Sequence, residues 1–309
     1  MTPRVVHVAT ERGERGGERQ LALLLEHRRH EAVLVAPAGA DWPARIDAPC
    51  RRVGFVGRLW GARAVARIVD DVRPHVVAVH THHALAHVAG GSVPVVVHRR
   101  LDFAPSRRSV ARYATAAHVV AVSVAVEGVL RRSGVRVPIT VIRDAVVPFG
   151  PGPWPAGPPH VVALGALVAH KGHLDLIEAM TEVPARLTIA GEGPLRRRLE
   201  RLVARRGLGN RVALPGHVGD VEGLLHSAHV FVHPSREEGL GQAVVEAFTA
   251  GRPVVATHAG GVPEVVRDRG RLVPTANPTA LAAALRSVLH DLDRARAEVL
   301  SVRAEVVRN

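Results

Sequence analysis

Cysteine is almost absent from this sequence: Cys50 stands alone, so no disulfide can form within the chain. Aromatic residues make up only 3% of the 309 positions, which leaves few rings to stack on nucleic-acid bases. The longest apolar run, residues 119–126, is interrupted by Ser123 and is too short to span a bilayer. Residues 1–10 have the pattern of a strand and lack the basic and apolar segments of a secretory signal. We therefore expect a cytoplasmic protein without a nucleic-acid partner.

Lysine is nearly absent too, and arginine carries the basic charge. Of the 41 basic residues 40 are arginine, and Lys171 is the only lysine. With 28 acidic residues the net charge is +13, and residues 1–150 hold +10 of it, from 22 Arg against 12 Asp and Glu. A basic half of this kind suits an anionic partner or a membrane surface. Arginine-rich helix faces in contact with water explain the same charge equally well, and both interpretations stay open.

Aliphatic residues are abundant, and short Val-rich runs alternate with amphipathic stretches along the whole chain. The runs predict buried strands at 4–9, 32–36, 75–80, 93–98, 118–122, 160–164, 186–190, 212–214, 230–233, 253–256 and 272–273. The amphipathic stretches predict helices at 17–29, 61–72, 124–133, 173–180, 194–206, 221–226, 241–250, 261–266 and 279–307. This alternation is typical of the α/β class with doubly wound parallel sheets.

The β-α alternation is interrupted once, at residues 150–159, where Pro and Gly are too dense for helix or strand. We predict a hinge there, between a Rossmann-like domain over 1–149 and a second one over 160–292. The last helix, 293–309, could cross back to the first domain. Open α/β sheets bind ligands at the carboxyl ends of their strands, so two such domains would face each other across a cleft.

The most informative stretch is residues 234–265, PSREEGLGQAVVEAFTAGRPVVATHAGGVPEV. It places Glu238 and Glu246 on either side of the turn Gly239-Leu240-Gly241, which opens a predicted helix. Glycines at a helix start let the backbone come close to a ligand, and the free amides there favour anions. Carboxylates beside such a turn can accept hydrogen bonds from the hydroxyls of a sugar or a ribose.

This stretch resembles the signature of retaining glycosyltransferase family 4, also called glycosyl transferases group 1. That signature is approximately S-x-x-E-G-F-G-x-x-x-x-E-A, then G-x-P-V-V-A-T, then G-G-x-P-E, with Leu240 here in place of the usual Phe. The resemblance implies the GT-B fold and transfer of a sugar from a nucleoside diphosphate sugar to an acceptor hydroxyl, with retention of configuration. It places Glu238 beside the donor sugar and Glu246 at the ribose, with Gly239, Leu240 and Gly241 lining the donor.

Other donor elements of the family follow predicted strands of the second domain. Gly165 to Gly172 resembles G-R-L-x-x-x-K-G, which puts Lys171 at the donor diphosphate, where its charge would stabilise the leaving group. Gly191 belongs to a turn similar to I-x-G-x-G-P, and His217 with Val218 matches the loop near the nucleotide base. The nucleotide sugar is a co-substrate, and no further cofactor and no metal are expected.

In the first domain, Arg15-Gly16-Gly17-Glu18 resembles the family's G-G-x-E loop, which implies that Gly16 and Gly17 lie near the donor. The resemblance places His98 beside the reacting centre, where it joins Lys171 and Glu238 as a candidate catalytic residue. We expect the acceptor near His80, His82 and Arg99. The run HTHHALAH at 80–87 could contact the acceptor, form an ordinary cleft wall or hold a metal, and these alternatives stay open.

Two positions depart from the family pattern: Ala166 replaces the Arg of G-R-L, and Asp144 replaces the Asn of N-G-V-D. Arg143 or Arg236 could supply the missing cation. The basic first domain favours an anionic glycolipid or saccharide as the acceptor, with peripheral contact to the inner face of the membrane. Three alternatives share these features: a nucleotide-sugar 2-epimerase of the same fold, a non-catalytic family member, and a basic nucleic-acid-binding protein.

Overall fold

The computed structural model describes residues 2–13, 16–55, 58–88 and 91–308. The chain divides into two compact units, Met1–Ala145 and Val146–Asn309. Each unit is built around one parallel sheet with helices between successive strands. No helix in the described ranges combines the length and the apolar character that crossing a membrane requires.

The first unit contains a seven-stranded sheet in the order β3-β2-β1-β4-β5-β6-β7, and all of its strand pairs are parallel. Its strands are β1 (Arg4–Val8), β2 (Glu31–Pro37), β3 (Cys50–Val53), β4 (Val76–Val79), β5 (Val95–Arg99), β6 (His118–Ala121) and β7 (Ile139–Val141). Its helices are α1 (Gly16–Glu26), α2 (Arg58–Val72), α3 (His82–Val88), α4 (Arg107–Tyr113) and α5 (Val124–Arg132), with a 3-10 turn at Trp42–Arg45. Valine fills the central strands because both faces of a parallel sheet are covered by helices.

The second unit contains a six-stranded parallel sheet in the order β10-β9-β8-β11-β12-β13. Its strands are β8 (His160–Leu164), β9 (Arg186–Ala190), β10 (Val212–Gly216), β11 (Val230–His233), β12 (Val254–Thr257) and β13 (Arg271–Val273). Its helices are α6 (His173–Ala179), α7 (Arg196–Arg205), α8 (Val221–His226), α9 (Gln242–Thr249), α10 (Val262–Val266), α11 (Pro278–His290) and α12 (Leu292–Arg308), with a 3-10 turn at Ala169–Lys171. Aliphatic side chains of the strands and of α6, α7 and α11 form one continuous core.

The fold class is confirmed, because both units are Rossmann-like, with parallel sheets and helical crossovers. One long element was predicted wrongly. The continuous helix expected over 279–307 is two helices, which separate at Asp291, where the backbone is extended at φ −134° and ψ 73°. The carboxylate of Asp291 accepts a hydrogen bond from the backbone N–H of Arg294 at 3.1 Å, so it caps the start of α12.

The Pro/Gly segment after the first unit is fastened to the second unit. The backbone N–H of Phe149 donates to Thr249 Oγ1 at 3.1 Å, and the guanidinium of Arg252 donates to the carbonyl of Pro153 at 2.9 Å. Arg303 on α12 donates to the carbonyls of Thr249 and Phe149 at 2.6 and 2.7 Å. The predicted hinge role of 150–159 and the predicted contact of α12 with the first domain stay predictions.

Candidate active site

The second sheet changes winding direction between β8 and β11, which are neighbours in space but not in sequence. At such a point the connections that follow the two strands run to opposite sides and leave room for a ligand at the carboxyl edge. Lys171 lies in the connection after β8 and Glu238 in the connection after β11. Lys171 Nζ donates to Glu238 Oε2 at 2.5 Å, and both side chains are largely shielded from water. The structure therefore brings two predicted catalytic residues into direct contact.

Glu238 has further partners at the end of β11. His233 Nε2 lies 2.9 Å from Glu238 Oε2, and the hydroxyl of Ser235 donates to the same oxygen at 3.3 Å. Burial alone would raise the pKa of the Glu238 carboxyl, but the Lys171 charge and the hydrogen bond from His233 outweigh it and lower the pKa far below its ordinary value. Glu238 is therefore an ionised carboxylate, held in place by Lys171, His233 and Ser235.

The loops after β8 and β9 pack against each other through glycine. Gly191 has a φ of +151°, and a Cβ atom there would lie 1.9 Å from the carbonyl oxygen of Gly165. The backbone N–H of Leu167 donates to the carbonyl of Glu192 at 2.8 Å. The two predicted donor loops, at Gly165 and Gly191, are thus in contact, and the contact leaves no room for a side chain.

The turn that carries Lys171 is fixed against the loop after β11 in the same way. Gly172 adopts the left-handed conformation with φ +67°, and a Cβ atom there would lie 1.9 Å from the carbonyl oxygen of Pro234. The backbone N–H groups of Arg236 and Glu237 point at the carbonyl of His170, at 2.7 and 3.4 Å. These contacts set the position of Lys171 relative to Glu238.

The remaining predicted donor residues lie after strands of the same sheet. Gly241 caps α9 with φ +96°, and the turn before it, Gly239 and Leu240, is buried. Glu246 is half-buried on α9, and the backbone N–H of Gly261 donates to the carbonyl of Glu238 at 3.0 Å. His217 is exposed and Val218 half-buried in the loop after β10. Their roles at a bound nucleotide stay predictions.

The site has no arginine at position 166, where the family pattern has one. Arg236, considered as a replacement, forms two hydrogen bonds of 2.8 Å to the carboxylate of Asp175. Arg143 is exposed and belongs to the first unit. Lys171 is therefore the cation that the structure places at the centre of the donor loops.

In the first unit the winding direction changes between β1 and β4. Thr10 and Thr81 join the two connections there, with their hydroxyls 2.7 Å apart. Gly16 and Gly17 open α1 after β1, whereas Arg15 of the same motif lies outside the described residues.

The predicted acceptor residues lie on this carboxyl edge too. His80 follows β4 and is buried, and His98, near the end of β5, is half-buried with its ring stacked on that of His80 at 4.5 Å. His82 opens α3, but its side chain is outside the described part of the structure. Arg99 is buried and donates to the carbonyls of Leu101 and Phe103 at 2.9 and 2.5 Å. Arg99 therefore holds the loop after β5, and its contact with an acceptor stays a prediction.

Asp144, which stands where the family pattern has Asn, is paired with another side chain in the structure. The carboxylate of Asp144 accepts two contacts from Arg100 Nε, at 3.0 and 3.1 Å, and both side chains are mostly buried. An asparagine at this position would leave Arg100 without its counter-charge. Asp144 and Arg100 therefore form a matched pair next to His98.

Sequence analysis missed two kinds of site residue. His233 and Ser235 hold Glu238. The place of His233 at the end of a buried strand was the available signal for it, and Ser235 is the first residue of the S-x-x-E signature, where its contact with the glutamate was not foreseen. In the first unit His7 contacts both His80 and His30, and His7 lies within a predicted strand where a buried polar residue needs a partner. Within the described ranges, no group of three or more His, Cys, Asp or Glu side chains is arranged to hold a metal ion.

Comparison with known proteins gives a family match for part of the chain. Residues 158–291 match the family described as Glycosyl transferases group 1. This match lies within the second unit and covers less than half of the chain. Lys171, Glu238 and Glu246 all lie inside the matched region.

Three similar proteins illustrate the relationship. Alpha-D-kanosaminyltransferase from Streptomyces kanamyceticus is 34% identical over 142 residues, but the match covers only 43% of this chain and 37% of that enzyme. A GDP-mannose-dependent alpha-(1-6)-phosphatidylinositol dimannoside mannosyltransferase from Mycobacterium tuberculosis is 28% identical over 357 aligned positions, which cover 98% and 92% of the two chains. The crystal structure of HepE from Anabaena, solved with UDP-glucose, has a TM-score of 0.87 at 22% identity, over 99% of this chain and 95% of that one. This last likeness confirms the GT-B fold.

Proposed function

We propose that the protein is a glycosyltransferase that moves a sugar from a nucleoside diphosphate sugar to an acceptor hydroxyl. One observation carries the proposal: the ion pair of Lys171 and Glu238 at the winding switch of a glycosyl transferases group 1 domain. A buried cation and a carboxylate at the carboxyl edge suit a ligand with a diphosphate at one end and hydroxyls at the other.

In this mechanism the bond from the anomeric carbon to the diphosphate oxygen breaks and a bond to the acceptor oxygen forms. Lys171 Nζ stabilises the negative charge that grows on the leaving diphosphate. Glu238 orients the sugar through its hydroxyls, and Glu246 binds the ribose. We propose that configuration is retained by attack on the face from which the diphosphate leaves, as the resemblance to family 4 implies.

The similar proteins support a nucleotide-sugar donor without fixing its base. HepE was solved with UDP-glucose, and the mycobacterial enzyme is named as GDP-mannose-dependent. We propose that this protein uses one such donor without a metal ion, because Lys171 supplies a positive charge at the place where the diphosphate would lie.

Thermal unfolding in the presence of UDP, GDP, ADP, TDP or CMP, with and without EDTA, tests the donor site. A nucleotide at a hundred times its dissociation constant should stabilise the protein by about 2.7 kcal/mol. We expect one diphosphate to raise the melting temperature of the wild type equally with and without EDTA, and Lys171→Ala and Glu246→Ala to lose the shift. If no nucleotide stabilises the wild type, the transferase proposal is wrong. If EDTA abolishes the shift, metal independence is wrong. Formation of the 2-epimer of the donor sugar with no acceptor present would instead identify a 2-epimerase.

We further propose an anionic glycolipid or saccharide as the acceptor, used at the inner face of the membrane in cell-envelope synthesis. The first turn of α2 exposes Leu59 and Trp60 by 73% and 70%, and Arg63 lies over the Trp60 ring at 5.8 Å. Exposed apolar side chains beside arginine suit the surface of an anionic bilayer. The mycobacterial relative is named for a phosphatidylinositol mannoside acceptor.

Flotation with lipid vesicles tests this contact. The wild type should float with phosphatidylglycerol vesicles and not with phosphatidylcholine vesicles, and Leu59→Ser/Trp60→Ser should weaken the binding. Leu300→Ser, which removes another exposed leucine (41% exposed) from α12, serves as the control. Equal flotation of the double variant and the wild type would assign the binding to another surface.

A further inference from the structure

His233 is the last residue of β11, and its side chain reaches the carboxylate of Glu238, five residues later in the chain. Nε2 of the ring lies 2.9 Å from Glu238 Oε2, and the side chain of His233 is 3% exposed. An ionised carboxylate accepts hydrogen bonds and donates none, so Nε2 carries the hydrogen of this contact. The glycosyl transfer proposed for this protein assigns no role to this buried donor.

The position of the His233 ring is fixed by the sheet. β11 is paired with β8 on one side and with β12 on the other. The hydroxyl of Thr257 on β12 donates to the carbonyl of His233 at 3.2 Å, and it also contacts the carbonyl of Ser235. The His233 ring lies beside that of Phe231, with 6.3 Å between the ring centroids. A buried side chain on a paired strand has few other rotamers open to it, so Nε2 is held in one place.

Two other side chains donate to Glu238 Oε2, and both are held less firmly. Lys171 Nζ donates from the end of a flexible four-carbon stem, which begins in a 3-10 turn. The hydroxyl of Ser235 donates at 3.3 Å, which is long for a contact between two oxygens. Of these three donors, His233 is the one best able to fix the direction of the Glu238 carboxylate.

Lys171 is needed in two places once a donor is bound. In the structure its ammonium is paired with Glu238, whereas glycosyl transfer needs it at the leaving diphosphate. A diphosphate carries more negative charge than one carboxylate and therefore competes for the ammonium. Burial raises the pKa of the Glu238 carboxyl, and after the Lys171 charge the hydrogen bond from His233 is the largest influence that lowers this pKa. When Lys171 turns to the phosphates, the contact with His233 still keeps the carboxylate ionised and in place.

We propose that His233 is a positioning residue, which holds the carboxylate of Glu238 toward the donor sugar while Lys171 turns from Glu238 to the diphosphate. The inference rests on the proposed function, since it deepens the account of how the donor sugar is bound. His233 acts through Glu238 and touches no substrate itself.

Two amide substitutions at His233 separate the hydrogen bond from the presence of a buried polar group. In His233→Gln the side-chain amide lies where Nε2 lies in histidine, so it can donate to Glu238. In His233→Asn the side chain is shorter and its amide lies near the position of Nδ1, so Glu238 loses this donor. His290→Asn replaces an exposed histidine at the end of α11 and is the control for losing a histidine elsewhere in the second unit.

Isothermal titration calorimetry on the full chain, with UDP, GDP, UDP-glucose and GDP-mannose, is the first measurement. For the base that the wild type binds, His233→Asn should bind the nucleotide sugar about tenfold more weakly, as expected when a hydrogen bond to a charged group is lost. Its affinity for the matching diphosphate should not change. His233→Gln and His290→Asn should bind both ligands as the wild type does, and Glu238→Ala should show the same selective loss as His233→Asn.

Nitrogen NMR tests the movement of Lys171 directly. Lys171 is the only lysine of the chain, so isotope-labelled lysine gives a single side-chain signal from the protein. Adding UDP or GDP, whichever binds, should shift this signal, whereas the Nε2–H signal of His233 should persist as in the free protein. An unchanged Lys171 signal, or loss of the His233 signal, would overturn the inference. If His233→Asn does not fold, these two signals decide.

Failure of this inference can be told apart from failure of the proposed function. If the wild type binds a nucleotide sugar and His233→Asn binds it equally well, the positioning role is wrong and the transferase proposal stands. If His233→Asn loses diphosphate and nucleotide sugar to the same extent, or His233→Gln does not restore binding, His233 supports the fold and the positioning role is again wrong. If the wild type binds none of these nucleotides, the proposed function fails and the positioning role fails with it.

Discussion

At the scale of single residues, Gly191 is the position at which the smallest change should have a large effect. A Cβ atom there would lie 1.9 Å from the backbone carbonyl of Gly165, and φ is +151°. We predict that Gly191→Ala destabilises the second unit by about 2–4 kcal/mol, because both the strained backbone and the steric overlap have to be relieved. Urea unfolding monitored by circular dichroism measures the difference.

Gly209→Ala is the matched control for that prediction. A Cβ atom at Gly209 meets nothing within 4 Å, and its φ is not in the left-handed range. We expect its stability to equal that of the wild type or to rise slightly, since alanine restricts the unfolded chain. Two variants of equal stability would show that the loops after β8 and β9 separate easily.

Single residues show how much of the candidate site could be predicted from the sequence. Lys171 and Glu238 were both identified from the signature and its spacing, but their 2.5 Å contact depends on the packing of two loops, fixed by Gly172 against Pro234. The spacing of residues along the sequence does not predict this distance. Asp144 departs from the family pattern. The structure gives a reason for this departure, because its carboxylate pairs with Arg100.

At the scale of elements, α12 stabilises the start of the second unit through one side chain. Arg303 donates to the carbonyls of Thr249 and Phe149 at 2.6 and 2.7 Å, so it ties the last helix to α9 and to the segment before β8. We predict that Arg303→Met lowers the free energy of unfolding by about 1–3 kcal/mol, since two carbonyls lose a charged donor.

Arg294→Met provides the comparison on the same helix. Its side chain is 72% exposed and pairs with Glu298 one turn away, an ion pair that is worth about 0–1 kcal/mol. Differential scanning calorimetry should therefore show a clear decrease in melting temperature for Arg303→Met and almost none for Arg294→Met. Equal melting temperatures would contradict the proposed role of Arg303.

The predicted elements were most accurate where strands are buried on both faces. β8, β9 and β11 have the predicted bounds because aliphatic or aromatic residues fill most positions of each. β3 and β7 at the two edges of the first sheet were missed: β3 carries two exposed arginines, and β7 has only three residues. Edge strands of this kind give little periodicity, since one side of each faces solvent.

At the scale of the whole molecule, the two units differ in how far burial lowers the pKa values of their histidines. In the first unit burial lowers the pKa of His7 and of His98 to about 3, and that of His80 well below its ordinary value. In the second unit burial, with Lys171 and His233 nearby, lowers the pKa of His173 to about 4, and burial also lowers the pKa of His160 and of His229. The first unit therefore has the larger acid sensitivity to be expected from its histidines.

Acid should destabilise the first unit because its unfolded chain binds more protons than its folded form does. Below about pH 6.5 the unfolded chain protonates its histidines, whereas the folded protein keeps His7 and His98 neutral until the pH nears 3. The free energy of unfolding should thus be unaffected by these groups above about pH 6.5 and fall steadily below it.

We predict that acid opens the first unit before the second. On going from about pH 7 to about pH 5, hydrogen exchange corrected for intrinsic rates should show loss of protection in β1, β4 and β5 before β8 and β11. His7→Gln removes one titrating group and should reduce the pH dependence of β1, whereas replacement of the exposed His27 should leave it unchanged. If β1 and β8 lost protection together at the same pH, the neutral histidines of the first sheet would not be the cause of the acid unfolding.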